Sequence, residues 1–133
     1  MIMEKIINSI NWVEIPVINF ELAKEFYSRI YDYEMSESMM GPKRMGFLPM
    51  DPDSMGVGGA IVQGNDYVPS SLGAKVYLNG GKDLLTVLNR VIAAGGVIIH
   101  PKTKIATISV ILQYSKTLKE ITYIFIHGNK CVN

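Results

Sequence analysis

The feature that most constrains the fold is a strand–helix–strand pattern that occurs twice within 133 residues. In the first copy, alternating β-prone residues from Asn11 to Val17 precede an apolar stripe at helical spacing from about Phe20 to Tyr31. In the second copy, a strand from Ala74 to Asn79 precedes a helical stripe that begins at Leu84, and Gly95-Gly96 ends that helix. Each copy alone would leave an apolar sheet face uncovered, so we expect the two copies to pack together.

The spacing after each predicted helix sets the rest of the architecture. In the first copy, turns at Gly41-Pro42 and Asp51-Pro52-Asp53 leave room for three strands after the helix, which gives the order β-α-β-β-β. The second copy has room for the same order. We therefore predict a single α+β domain over residues 1–133, built from two β-α-β-β-β modules, module one at about 8–66 and module two at about 72–133.

The last quarter of the chain departs from this plan. From Ala106 the sequence reads ATISVILQYSKTLKEITYIFIHGNKCVN. Back-translation with the frame moved by one base allows DNIGYIAVFKDTEGNNIYIHSWK followed by a stop, and only wobble bases are free to produce that string. This indicates a frameshift, with chance as the alternative. The segments from Ile108 to Tyr114 and from Ile121 to Ile126 are still β-prone, but the residues between them make a poor turn, so we predict an altered final hairpin.

Composition narrows the functional classes. Hydrophobic residues make up 48% of the chain and charged residues 19%, as in globular proteins. A net charge of +1 with scattered Lys and Arg gives no electrostatic footprint for nucleic acid or an anionic membrane. No segment approaches the ~20 apolar residues of a membrane span, and Glu4 interrupts what would be the charged region of a signal peptide. These observations predict a cytoplasmic protein that binds neither nucleic acid nor membrane.

The two copies resemble the vicinal oxygen chelate superfamily, which includes glyoxalase I, bleomycin-resistance proteins and extradiol dioxygenases. The likeness is carried by INWVEIPVINFELAKEFY in the first copy and KVYLNGGKDLLTVLNRVIAAGG in the second. GGAIVQGNDYVPSS and AAGGVIIHPKT add a likeness to small glyoxalase-like proteins, and the resemblance spans about Ile10 to Ile105. The shifted-frame string GYIAVFKDTEGNNIYIHS resembles the closing hairpin of that family. The resemblance implies a ligand cavity on the concave sheet surface and a homodimer.

The same resemblance argues against the metal site of the superfamily. Members with chemistry usually hold a divalent metal with four side chains, mostly His and Glu. The His of the first strand falls on Trp12 and that of the second module on Val76. The ligand near the end of the first module falls around Val62 or Gln63, of which only Gln63 could coordinate, and the fourth falls in the altered tail. Indole and isopropyl groups offer a metal no N or O ligand, so we expect no metal and no other cofactor.

Five residues are candidates for the site. Glu14 lies two residues from Trp12 on the same face of a strand, where its carboxylate could act as a general base or accept a hydrogen bond; the alternative is a solvated or structurally paired carboxylate. Trp12 could stack on a planar ligand, or belong to the core or a dimer interface. Tyr67, in the linker between modules, could cover the pocket mouth or be an exposed loop residue. The candidate catalytic residue is therefore Glu14, and the candidate ligand-binding residues are Trp12, Gln63, Val76 and Tyr67.

Three functional hypotheses follow. The first is a metal-independent protein that binds a small organic molecule in the concavity of the sheets. The second is a metal-dependent lyase, isomerase or dioxygenase of the glyoxalase I type, for which the resemblance is the only argument. The third is a frameshifted, inactive copy that persists as a folded or partly folded oligomer. The sequence leaves open whether the chain is an enzyme.

Overall fold

The computed structural model describes residues 4–70, 72–81, 84–100, 107–113 and 121–127. Within these residues, two helices and eight strands follow one another in the order β-α-β-β-β twice. Their bounds are β1 Trp12–Pro16, α1 Phe20–Tyr31, β2 Glu37–Met40, β3 Lys43–Phe47, β4 Gly58–Gln63, β5 Tyr77–Asn79, α2 Leu84–Ala93, β6 Gly96–His100, β7 Thr107–Gln113 and β8 Ile121–His127. No helix among these residues is long and apolar enough to cross a membrane.

The strands form two mixed sheets of four strands each. The first sheet has the order β1-β4-β3-β2 and the second has the order β5-β8-β7-β6. In each sheet the opening strand lies parallel to the closing strand, and the other neighbours are antiparallel. Gly41 makes the turn between β2 and β3 with a φ of 62°, a value that glycine adopts readily. Because β1 and β5 stand first in the two strand orders, each of these opening strands lies at the edge of its sheet.

Helix α1 begins and ends where the sequence predicted. The side chain of Asn19 accepts a hydrogen bond from the backbone N–H of Leu22 at 3.2 Å, which is the capping contact expected of Asn. The helix ends at Tyr31, and Asp32 follows in the left-handed conformation with a φ of 49°. Its N–H and that of the next residue bond back to the carbonyls of Arg29 and Ser28, which satisfies the last turn.

One hydrophobic core joins both sequence copies. The apolar stripe of α1 packs on the inner face of the first sheet and also reaches α2 and β5. The buried side chains of this core are Ile15, Val17, Phe20, Ala23, Phe26, Tyr27, Ile30, Met35, Ile61, Leu78, Val87 and Val91. Removing apolar surface from water stabilises a fold by about 25 cal/mol per Å², so this shared core is what chiefly holds the two halves together.

Polar contacts between the halves surround this core. The Arg29 guanidinium donates to the Ala93 carbonyl at 3.2 Å, and Arg90 donates to the Ile30 carbonyl at 3.3 Å. The Tyr31 hydroxyl donates to the carbonyl of Asn79 at the end of β5, at 3.0 Å. In each contact, a side chain donates to a backbone carbonyl in the last turn of a helix or at the end of a strand. These hydrogen bonds fix the relative position of the two halves at several points.

The Tyr31 contact predicts a loss of stability at alkaline pH. Burial raises the pKa of Tyr31 to about 12, so the folded chain holds this proton more tightly than the unfolded chain does. The stabilisation is complete below the unfolded pKa of about 10 and is lost as the pH rises toward about 12. We expect Tyr31→Phe to be less stable than wild type near neutral pH, and the difference in urea-unfolding free energy to shrink by up to about 2 kcal/mol across that range. A difference that stays constant with pH would contradict the raised pKa of Tyr31.

The second sheet differs in extent from the sequence prediction. The strand predicted from Ala74 to Asn79 is shorter and runs only from Tyr77 to Asn79, because it pairs with β8 over three residues. The β-prone tail segments do form strands, and β7 pairs with β8 in continuous antiparallel register from Thr107↔His127 to Gln113↔Ile121. The weak turn predicted between them falls on residues 114–120, outside the described residues.

Candidate functional site

Strand alternation gives the first sheet two different faces. In β1, Ile15 points into the core, whereas Trp12 and Glu14 point to the opposite side and are exposed. The register pairs Glu14 with Ala60 in β4, and Ala60 with Phe47 in β3. We call this side, which faces away from α1, the open face; its residues include Trp12, Glu14, Lys43, Met45, Phe47, Ala60 and Val62.

A cleft of about 550 Å³ lies where the edge of the first sheet meets the segment that leads into β5. Trp12 and Val76, which the sequence places 64 positions apart, both line this cleft. The indole is 44% exposed and Val76 is half-buried. The remaining lining residues are Ile10, Val13, Tyr31, Leu48, Pro49, Val57, Gly58, Gly59, Ala74, Lys75, Tyr77, Leu78 and Asn79. The structure therefore brings two of the predicted ligand-binding residues to one apolar cleft.

A chain of hydrogen bonds runs along the open face from the cleft. The Trp12 indole N–H donates to Glu14 Oε2 at 3.3 Å, and the Tyr67 hydroxyl donates to Glu14 Oε1 at 2.6 Å. The ammonium of Lys43 donates to the same Tyr67 hydroxyl at 3.3 Å. Glu14 is thus the acceptor shared by two candidate residues, and a carboxylate oxygen pair has capacity for further donors because it can accept about four hydrogen bonds.

Apolar packing holds Tyr67 on this face. Its ring packs against the buried cluster of Met45, Ala60 and Val62, and Lys43 lies 5.1 Å above the ring centroid, within the range of a cation–π contact. The backbone N–H of Tyr67 closes a turn by donating to the Gly64 carbonyl at 3.1 Å. The linker tyrosine is therefore seated on the sheet rather than projecting into solvent.

Phe47 and Lys43 belong to the site although sequence reasoning did not select them. Phe47 meets Trp12 edge to face, with ring centroids 6.4 Å apart. Lys43 and Phe47 lie four residues apart on β3, and strand alternation places both on the same face as Met45. The alternation of residues along β3 was the available signal in the sequence. Alternation alone does not indicate which of the two sheet faces is the open one.

The structure does not bring Gln63 to this site. Gln63 Oε1 accepts a hydrogen bond from the backbone N–H of Phe20 at 2.7 Å, so this side chain caps the start of α1. It lines a separate surface hollow of about 390 Å³ on the helix side of the sheet, next to Arg44. The reason is alternation in β4, because Val62 occupies the open face and Gln63 the opposite one.

The donor set of the open face does not fit the divalent metal of the superfamily. Within the part of the chain that the structure describes, no three His, Cys, Asp or Glu side chains are grouped so that they could hold an ion. The groups around Glu14 are an indole N–H and an ammonium, which have no lone pair for a metal, and a phenol whose proton is donated to Glu14 itself.

Solved structures with the same fold include enzymes and binding proteins. A glyoxalase I mutant from Zea mays superposes with a TM-score of 0.63 at 14% identity over 90% of this chain and 45% of its own. Glyoxalase I from Leishmania major gives 0.62 at 11% identity over 88% and 84%. TnmS3, an antibiotic binding protein from Streptomyces, gives 0.60 at 16% identity over 96% and 100%. No family model and no curated protein matches the sequence.

These likenesses, together with the two mixed sheets of the described residues, show that the chain shares the fold of the glyoxalase I structures. The chain spans less than half of the Zea mays glyoxalase I chain. At identities this low, the structural likeness establishes a shared fold and nothing about activity, because a fold of this kind hosts several unrelated activities.

Proposed function

We propose that this chain binds a small organic molecule in the cleft beside β1, and that it does so without a metal ion. The observation that supports this most strongly is the position of Trp12 and Val76. Both line the cleft of about 550 Å³, and both stand where the resemblance puts metal ligands. Ligand pockets in proteins typically enclose about 300–1,000 Å³ and combine apolar walls with few polar groups. Here the walls are apolar, and Glu14 lies beside them through its contact with Trp12.

The geometry suits a ligand with a flat apolar part. An exposed indole that is braced by Phe47 presents a ring on which a planar molecule can stack. Glu14, which is exposed and keeps free acceptor capacity, can bind a donor group on the ligand or remove a proton from it. We therefore assign Trp12, Val76 and Tyr67 to ligand binding, and Glu14 to hydrogen bonding, with a role as general base if the chain is an enzyme.

The named neighbours are compatible with binding as well as catalysis. TnmS3 is described as an antibiotic binding protein, and FosX from Listeria monocytogenes as a fosfomycin resistance protein. Within the proposal, the two β-α-β-β-β segments are the two modules of the vicinal oxygen chelate fold, and the chain works in the cytoplasm as a homodimer. Size-exclusion chromatography with light scattering tests the dimer.

Filling the cleft with a larger side chain should weaken binding. Val76→Phe adds a ring inside the cleft, whereas Val68→Phe makes the same exchange at a linker residue that is 68% exposed. We expect Val76→Phe to weaken binding of anilinonaphthalene sulfonate by about tenfold or more, which corresponds to about 1.4 kcal/mol, and Val68→Phe to leave it unchanged. Binding of the dye is measured by fluorescence energy transfer from Trp12, the only tryptophan in the sequence. Equal affinities in the two variants would place binding elsewhere.

The second candidate function is the metal-dependent lyase, isomerase or dioxygenase, which the Zea mays and Leishmania major neighbours favour. Metal analysis of the dialysed protein separates the two. We expect far less than one nickel, zinc or iron ion per chain, because the open face lacks the ligands such ions need. Stoichiometric metal that survives dialysis would overturn our assignment of the cleft.

A further inference from the structure

The phenol ring of Tyr67 occupies the open face in the manner of a bound ligand. We infer that Tyr67 is an internal stand-in, and that the open face is a binding site for phenolic compounds, which take the place of this side chain when they bind. The inference goes beyond the proposed function, because Tyr67 and Glu14 do not line the cleft; Trp12 connects the two regions through its hydrogen bond to Glu14.

Every recognition element of a phenol site is present around this side chain. The apolar floor is Met45, Ala60 and Val62. The acceptor for the phenolic proton is Glu14 Oε1 at 2.6 Å, a short distance typical of a hydroxyl that donates to a carboxylate. The ammonium of Lys43 is the donor to the phenolic oxygen and lies over the ring face. A hydroxyl that donates to one charged group and accepts from another has both its functions satisfied.

The side chain that fills this site is attached in a way that allows it to leave. Tyr67 belongs to the linker between the two sheets, and its neighbours Asp66 and Val68 are exposed. Its backbone is held by one turn contact, to the Gly64 carbonyl. Departure of the ring would therefore cost the ring contacts themselves and little of the fold. A phenol that restores the same contacts compensates for their loss.

The charges of Lys43 and Glu14 also explain why the proposed ligands are phenols and not aromatic molecules in general. Lys43 makes no ion pair with a carboxylate among the described residues, and its partners there are the hydroxyl and ring of Tyr67. With the ring removed, a half-buried ammonium and the Glu14 carboxylate would both lose a hydrogen-bond partner. An aromatic molecule without a hydroxyl cannot donate a hydrogen bond to Glu14, and a polar group left without its partner discriminates strongly between ligands.

Chemical rescue tests the inference. Para-cresol, the side-chain analogue of tyrosine, is titrated into wild type and Tyr67→Ala, and Trp12 fluorescence is excited at the red edge of indole absorption, where phenols do not absorb. We expect Tyr67→Ala to bind para-cresol at least about tenfold more tightly than wild type, because the competing side chain is gone. The methyl ether of para-cresol, which has the same ring and no donor, should bind Tyr67→Ala about tenfold more weakly than para-cresol itself.

Two further variants test the inference. In Tyr67→Ala combined with Glu14→Leu, which leaves no side-chain acceptor at position 14, the preference for para-cresol over its ether should largely vanish. Tyr67→Phe keeps the ring packing and loses both contacts of the hydroxyl, to Glu14 and to Lys43, so its affinity for para-cresol should lie between those of wild type and Tyr67→Ala. Equal affinity in all three chains, or equal binding of the ether, would overturn the inference. If anilinonaphthalene sulfonate still binds the cleft but Tyr67→Ala does not bind para-cresol more tightly than wild type, the phenol site is wrong and the proposed cleft is unaffected. If para-cresol binds as expected but the dye does not bind, the proposed cleft is wrong and the phenol site is unaffected.

Discussion

Gly59→Ala should destabilise the protein by about 1–3 kcal/mol or more, because there is no room for a methyl group between β1 and β4. A Cβ atom at this position would stand 2.7 Å from the backbone carbonyl oxygen of Val13 in the adjacent parallel strand. A backbone atom cannot rotate away as a side chain can, so the two strands would have to separate or shift. The register of β1 with β4 is continuous through Val13 and Gly59, so the glycine marks a close approach of two backbones and not a bulge.

Gly56→Ala provides the matched control for this prediction. It makes the same exchange three residues earlier, and the new Cβ would meet only the Ser54 hydroxyl oxygen at 3.2 Å, in an exposed loop. Urea unfolding followed by circular dichroism should show a marked fall of the midpoint for Gly59→Ala and a change within about 0.5 kcal/mol for Gly56→Ala. If both variants unfold at the same midpoint, β1 and β4 do not approach as closely as the structure describes.

The effect of Gly59→Ala should extend to the site. Val13 and Gly59 lie on the cleft wall, and β1 also carries Trp12 and Glu14. A displacement of β1 would move both side chains relative to Tyr67, which is anchored on β3 and β4. Weaker dye binding than in Gly56→Ala, measured where both variants are fully folded, would show that the tight contact between β1 and β4 sets the geometry of the site.

Local signals in the sequence were sufficient for the elements and insufficient for the site. Asn19 and the apolar stripe from Phe20 to Tyr31 fixed α1 because capping and periodicity act within a few residues. The contact between Tyr67 and Glu14 joins residues 53 positions apart, and no local preference encodes it. Its prediction needs the path of the linker across the open face, which tertiary packing decides.

The position of Gln63, away from the cleft, has a different origin. The resemblance located a ligand position around Val62 or Gln63, and chemistry alone favoured Gln63, since an amide can coordinate and an isopropyl group cannot. In a strand, neighbouring residues point to opposite faces of the sheet. Of two adjacent positions in β4, one therefore lies on the open face and the other on the face that packs against α1. The structure puts Val62 on the open face and uses the Gln63 amide to cap α1.

Restoring the reading frame of the tail should raise the melting temperature by about 5 °C or more, the shift expected for roughly 1–2 kcal/mol in a domain of this size. In the present sequence, SKTLKE separates the two tail strands and contains no Gly, Asn or Asp. The shifted frame supplies DTEGNN between two alternating segments, and Gly and Asn adopt the left-handed conformations that hairpin turns require. We propose on this ground that the tail is a lesion in a glyoxalase-like chain.

A control separates the turn from the strands in this experiment. Thr117→Asn combined with Leu118→Gly gives the existing tail a turn sequence and leaves the strand residues unchanged. If turn chemistry is the main defect, this pair should recover much of the gain of the full replacement in differential scanning calorimetry. If the strands carry the defect, the pair should change little, because residues 107–113 and 121–127 would keep the faces that their present register gives them. Equal melting temperatures for the present and the frame-restored tail would contradict a lesion, and a ligand bound equally by both would show that the site in the first sheet is independent of the tail.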